Sequence, residues 1–187
     1  TDMSTPLGRK VGNALEVEES VEVLSGGGPK DVVDLTVMLA EEMLALAGVE
    51  GDVRAALQDG RAMDKWNQMI TAQGGDPQAT LPKAKHTLEV KAQAAGTLTK
   101  LDALSVGIAS WRLGAGRATK DDVLALEAGI VLNKVQGEEV AVGETLLTLH
   151  ADDDSRFERA LEALDGGYEV TNAAPSDRVL LLGRVTE

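Results

Sequence analysis

Thr1-Asp2-Met3-Ser4-Thr5-Pro6-Leu7-Gly8-Arg9-Lys10-Val11-Gly12-Asn13-Ala14-Leu15-Glu16-Val17 begins as chain that resists a helix and ends as chain that seeks one. Pro6 fixes its own φ and pushes Thr5 toward extended geometry, while Gly8 and Gly12 permit turns that other residues resist. Asn13 then supplies a helix N-cap. Behind it Ala14, Val17, Val21 and Leu24 recur at intervals of three and four. This spacing predicts a helix that buries the stripe and shows Glu16, Glu18, Glu19 and Glu22 to water. The stretch reads as a loop delivering a helix.

Working outward, Ser25-Gly26-Gly27-Gly28-Pro29 separates this helix from a second, whose stripe is Leu35, Met38, Leu39, Met43 and Leu46 and which Gly48 stops. Asp52 caps a short third helix burying Val53, Ala56 and Leu57. Gly60 breaks it before a fourth with Ala62, Trp66, Met69 and Ile70 on one side. Residues 76–85 hold two prolines and no clean period, so a surface crossing and a domain boundary are expected near Pro82. Beyond it, Thr87–Ala92 and Thr97–Leu101 about Gly96 read as a pair of strands. Asp102 caps a helix through Ile108, Trp111 and Leu113, closed by Gly114. Gly129–Asn133 and Leu146–His150 read as strands, Asp154 or Ser155 starts a helix with Phe157, Leu161 and Leu164, and the apolar tail Val179–Val185 reads as a further strand. Helices and strands mixed in this way give an α/β class.

The 187 residues are 43% apolar and 26% charged, the balance of a soluble globular protein with one sizeable core or two small ones. A net charge of −13 with no basic face argues against nucleic acid as a partner, because affinity for phosphate backbones rests on Lys and Arg. The absence of cysteine excludes disulfides, thiolate nucleophiles and thiolate metal sites. No apolar run approaches the roughly 20 residues of a membrane span, so no membrane partner is expected and a cytoplasmic location is the simplest reading.

Several patterns could carry chemistry or merely structure. The glycine run at 26–28 either presents backbone N–H groups to an anion or connects two helices. It follows a helix and lacks the ending of a phosphate loop, which favours the connector. Gly114-Ala115-Gly116 resembles the opening of a dinucleotide fingerprint but has no third glycine and sits at a helix end. The segment 133–146 has the glycine and valine spacing of biotinyl and lipoyl carriers without their exposed tip lysine. His86 and His150 stand in no pattern with a nucleophile or paired metal ligands, and Asp152-Asp153-Asp154 sits where a helix start wants negative charge rather than with the spacing of a calcium loop. Neither a catalytic nor a substrate-binding residue emerges from the residues themselves.

Several of these motifs together carry a resemblance. The run TDM-S-T-PLGR-x-VGNALEV resembles a segment of the thymidine phosphorylase and pyrimidine-nucleoside phosphorylase family. Gly28-Pro29, Glu41-Glu42-Met43-Leu44, Gln73-Gly74-Gly75-Asp76-Pro77, Ala95-Gly96, Leu113-Gly114-Ala115-Gly116-Arg117, Ala128-Gly129-Ile130 and Leu149-His150-Ala151 follow in the family's order. Ala125 stands where the family often has aspartate, and Lys10 where it often has a small residue. The resemblance implies an α/β (α+β) fold in two parts: residues 1–81 as a helical part of the phosphorylase α/β lobe, and 82–187 as the carboxyl-terminal domain, a mixed strand and helix unit resembling a barrel-sandwich hybrid.

It also implies an activity, the phosphorolysis of a pyrimidine nucleoside to free base and pentose 1-phosphate by a homodimeric pentosyltransferase of nucleoside salvage. The family's phosphate loop and base-holding residues have no counterpart between Thr1 and Glu187. The chain is therefore expected to be a carboxyl-terminal fragment, inactive without its amino-terminal partner. The alternative is a stand-alone binding or scaffold module. The family further implies a potassium ion on the carbonyls of Leu7 and Lys10 and the carboxylate of Glu19, with Glu19 as merely one more exposed acid the plain alternative. A fragment of this kind is also expected to expose an apolar patch on its first half.

Overall fold

The computed structural model describes residues 1–175 and 178–185, and it divides into two compact units, Val17–Leu81 and Thr1–Glu16 joined with the residues from Pro82 onward. The leading stretch groups with the strands of the second unit. Within it Lys10–Gly12 forms a short strand, β1, where the sequence reads as loop alone. Helix α1 (Asn13–Leu24) follows at once.

The Val17–Leu81 unit continues with α2 (Lys30–Ala47), α3 (Val53–Gln58) and α4 (Arg61–Ala72). Local signals set their ends. Gly48 takes the left-handed conformation at the end of α2 and its N–H reaches back to Ala45, while the Asp52 carboxylate accepts the Ala55 N–H 2.9 Å away at the start of α3. The stripe expected to bury α2 does not. Val37 is buried, whereas Leu39, Met43 and Leu46 lie in the open, so the exposed apolar face of this half is real.

The other unit is built on two antiparallel sheets. One has the order β1-β4-β6-β2, with β4 at Gly129–Leu132, β6 at Thr145–Ala151 and β2 at His86–Lys91. The second has the order β5-β3-β7, from Glu139–Val140, Gly96–Leu101 and Tyr168–Thr171. The strands on either side of Gly96 are therefore not a hairpin: β2 pairs with β6, and β3 with β5 and β7. Two helices, α5 (Ala103–Ser110) and α6 (Arg156–Leu164), pack on each other, and a π-helical turn at Trp111–Ala115 extends α5. The Asp102 carboxylate caps α5 by accepting the Ser105 N–H at 2.7 Å. Leu98, Leu101, Val106, Leu113, Ile130, Leu147, Leu149 and Leu164 fill the core. The tail at 178–185 forms no strand; Val179, Leu181 and Leu182 stay exposed, and apolar composition there had mimicked a strand that lacks a ladder.

Two of the quoted motifs meet across the first sheet. Gly12 and Gly129 are register partners in the β1–β4 ladder. A Cβ on Gly129 would stand 2.3 Å from the Val11 carbonyl oxygen, and one on Gly12 would stand 2.5 Å from that of Ala128. Val11-Gly12-Asn13 and Ala128-Gly129-Ile130 need glycine because the two backbones touch.

Candidate functional site

The leading loop is held residue by residue. The Asp2 carboxylate accepts the Ser4 N–H (2.9 Å) and hydroxyl (2.5 Å), the Ser4 carbonyl accepts the Ala103 N–H (2.9 Å), and the Thr5 hydroxyl donates to Gln136 Oε1 (3.2 Å). From the far end of the chain Arg178 donates to Asp2 Oδ2 (2.9 Å), the Pro6 carbonyl (2.7 Å) and the Thr5 carbonyl (2.7 Å). The Asp2 carboxyl is lowered to about 2, chiefly by its bonds from Ser4. Burial opposes that shift and Arg178 adds to it. Pro6 and Gly8 are buried in this grip while Leu7 is exposed.

Of the three residues expected to hold a cation, Leu7 lies in this loop and Lys10 opens β1 opposite Val131, both in the strand-bearing unit. Glu19 lies on α1 in the helical unit. Glu19 is not one more exposed acid: it is only 7% accessible, one helical turn from buried Val23, whereas Glu16, Glu18 and Glu22 are exposed as expected.

The other patterns resolve into structure. The N–H groups of Gly26 and Gly27 are spent on the Val23 and Glu22 carbonyls at the end of α1, which makes the glycine run a connector. Asp152 bonds the side chain and backbone N–H of Lys85, which lowers its pKa, and Asp153 bonds the Ser155 N–H and hydroxyl at the start of α6. Lys134, in the carrier-like segment, donates to the Glu139 carbonyl (3.0 Å) and pairs with Glu144 (2.8 Å). Among the described residues no group of three or more His, Asp or Glu could hold a metal.

The Gly114-Ala115-Gly116 motif borders a cavity of about 360 Å³ lined by Trp111, Arg112, Asp122, Ser155, Arg156 and Arg159, among others. Its glycines make room for that lining. Gly114, at φ 117°, lies against the Arg156 guanidinium, where a Cβ would stand 2.7 Å from Nη1, and a Cβ on Gly116 would stand 2.6 Å from Trp111 Cδ1.

Comparison with known proteins locates this chain. The family model for the pyrimidine nucleoside phosphorylase C-terminal domain matches residues 97–171. The thymidine phosphorylase of Mycobacterium tuberculosis is 47% identical over 186 residues, which cover 99% of this chain and 44% of that protein. The chain belongs to the thymidine and pyrimidine-nucleoside phosphorylase family. Pyrimidine-nucleoside phosphorylases of Staphylococcus haemolyticus and Staphylococcus epidermidis are 37% identical over 96% of the chain and 43% identical over 80% of it. The chain spans less than half the length of these curated relatives and carries the family's carboxyl-terminal part.

Sequence reasoning missed two features of this phosphorylase-family chain. Arg178 stands beside an apolar run with nothing to mark it as the clasp of a loop 176 residues away. The cavity arginines did carry a signal: Arg156 and Arg159 are three apart, hence on one helix face, and Trp111-Arg112 stands one residue before the glycine motif.

Proposed function

We propose that this chain is the carboxyl-terminal part of a pyrimidine-nucleoside phosphorylase that acts in the cytoplasm, in nucleoside salvage, as a homodimer. The observation that carries this reading is the 47% identity to a thymidine phosphorylase over almost the whole chain. In the reaction the glycosidic C–N bond breaks, the base leaves with its electron pair and takes a proton, and a phosphate oxygen bonds the sugar carbon. The barrier is that of a sugar with cationic character, lowered by holding phosphate and nucleoside in line and stabilising the departing base. This reading assigns those tasks to residues beyond the 187 and leaves the chain a supporting role. From the resemblance alone, we extend the proposal to a monovalent cation such as potassium in the complete enzyme.

Thymidine or uridine with phosphate, followed by base absorbance, tests the division of labour. The 187-residue chain is expected to give no turnover; phosphate-dependent turnover from it would refute the assignment of catalysis elsewhere. A complete enzyme carrying this chain is expected to be faster in potassium chloride than in choline chloride, and equal rates would remove the cation.

A further inference from the structure

We propose that the cavity between the π-helical turn and the start of α6 binds a small phosphate ester carrying a flat ring, the chemistry of a nucleotide. In a chain with 31 acidic and 18 basic side chains, three guanidiniums line this one cavity, those of Arg112, Arg156 and Arg159. Its two carboxylates are already engaged. Asp122 accepts the Ala118 and Thr119 N–H groups (2.8 and 2.9 Å) and the Thr119 hydroxyl (2.8 Å), and Asp153 accepts the Ser155 N–H and hydroxyl.

The arginines divide into an anchor and two whose hydrogen-bond donors are uncommitted. Arg112 donates to the Arg159 carbonyl (2.6 Å) and reaches Glu162 (3.2 Å), and this fixes its position. Arg156 Nε forms an ion pair with Asp153 Oδ2 at 3.8 Å, too long for a hydrogen bond, and Arg159 makes no ion pair among the described residues. Two guanidiniums with unspent planar donors, three residues apart on one helix face, match the geometry of a phosphate monoester. Trp111, 40% accessible, supplies the flat apolar surface on which a ring would lie. The volume lies in the range of small-ligand pockets, which starts at about 300 Å³. The glycine motif, which no dinucleotide-binding role explains, gains one here: Gly114 admits the Arg156 guanidinium and Gly116 admits the Trp111 ring.

Titration calorimetry on the 187-residue chain with adenosine 5′-monophosphate, inorganic phosphate and adenosine tests this. A purine keeps the readout apart from any pyrimidine substrate site. Indole emission of a Trp66→Phe variant reports whether Trp111 senses the ligand. The monophosphate is expected to bind about tenfold or more tightly than phosphate, equivalent to about 1.4 kcal/mol. Arg159→Gln and Arg156→Gln, both at exposed helix positions and checked for unchanged circular dichroism, are expected to weaken both anions about tenfold. Trp111→Leu is expected to bring the monophosphate down to the phosphate value. No binding up to about 10 mM, affinities unmoved by both arginine substitutions, or adenosine binding as tightly as its monophosphate would each overturn the proposal.

Discussion

Arg178→Ala should open the clasp that ties residues 2–6 to the carboxyl-terminal tail. The guanidinium is sheltered, with 19% of its side chain accessible against 13% for Asp2, and the substitution removes its bonds to Asp2 Oδ2 and to the Pro6 and Thr5 carbonyls. A hydrogen bond involving a charged group contributes about 1.5–3 kcal/mol, and holding a long side chain still costs part of that. The net loss should be about 2 kcal/mol, or roughly 30-fold more frequent opening. Amide hydrogen exchange reads this directly. The Asp2 N–H, bonded to the Leu180 carbonyl at 2.8 Å, and the Ala103 N–H, bonded to that of Ser4, should exchange about 30-fold faster, while amides of β6 keep their rates. A change below about threefold would show that Arg178 does not hold the loop. The acid side gives an independent check. The Asp2 pKa is depressed from 3.8 to about 2, so its stabilisation is fully present above pH 3.8 and is lost as pH falls through about 2. That loss, about 2 kcal/mol at most, should be missing from the acid unfolding curve of Asp2→Asn.

Gly129→Ala drives a Cβ to within 2.3 Å of a backbone oxygen, which no rotamer change relieves. It should cost at least about 3 kcal/mol in urea unfolding, and a cost under about 1 kcal/mol would contradict the β1–β4 contact. Leu149→Ala, at a fully buried position, should lose about 2–5 kcal/mol in the same assay, with near-neutrality as the contrary result. The open face of α2 should make the chain self-associate as concentration rises in light scattering. Met43→Lys, on that face, should suppress this, and a monodisperse monomer at every concentration would remove the patch as a contact surface.

What could be read from the sequence was local. Asp52, Asp102 and Gly48 announce helix ends because a cap involves only three or four neighbouring residues, and the structure places each of them there. Register was not legible in this way. Strands β2 and β3 look like a hairpin because they are adjacent, yet each finds its partner dozens of residues later, in a different sheet. Apolar composition misled at the tail and on α2, where a hydrophobic run met no surface to cover it. Glu19 shows the opposite error: helical period placed it among the exposed acids, and only packing reveals it as buried. The family motifs were readable because they recur in order. Their physical purpose, glycine facing glycine across β1 and β4 and glycine yielding to Arg156 and Trp111, lies in contacts between residues that only the fold brings together.

The most direct test of the central claim is a transplant. Replacing the matched 186-residue part of the Mycobacterium tuberculosis thymidine phosphorylase with this chain joins it to an amino-terminal part from a relative 47% identical over that span. Phosphate-dependent release of thymine from thymidine is then followed by absorbance. The chimera should be active, at a kcat/KM within about a hundredfold of the parent, a tolerance of about 2.7 kcal/mol in transition-state stabilisation. A chimera that folds and melts like the parent but releases no thymine would contradict the claim that this chain is the working carboxyl-terminal part of such an enzyme.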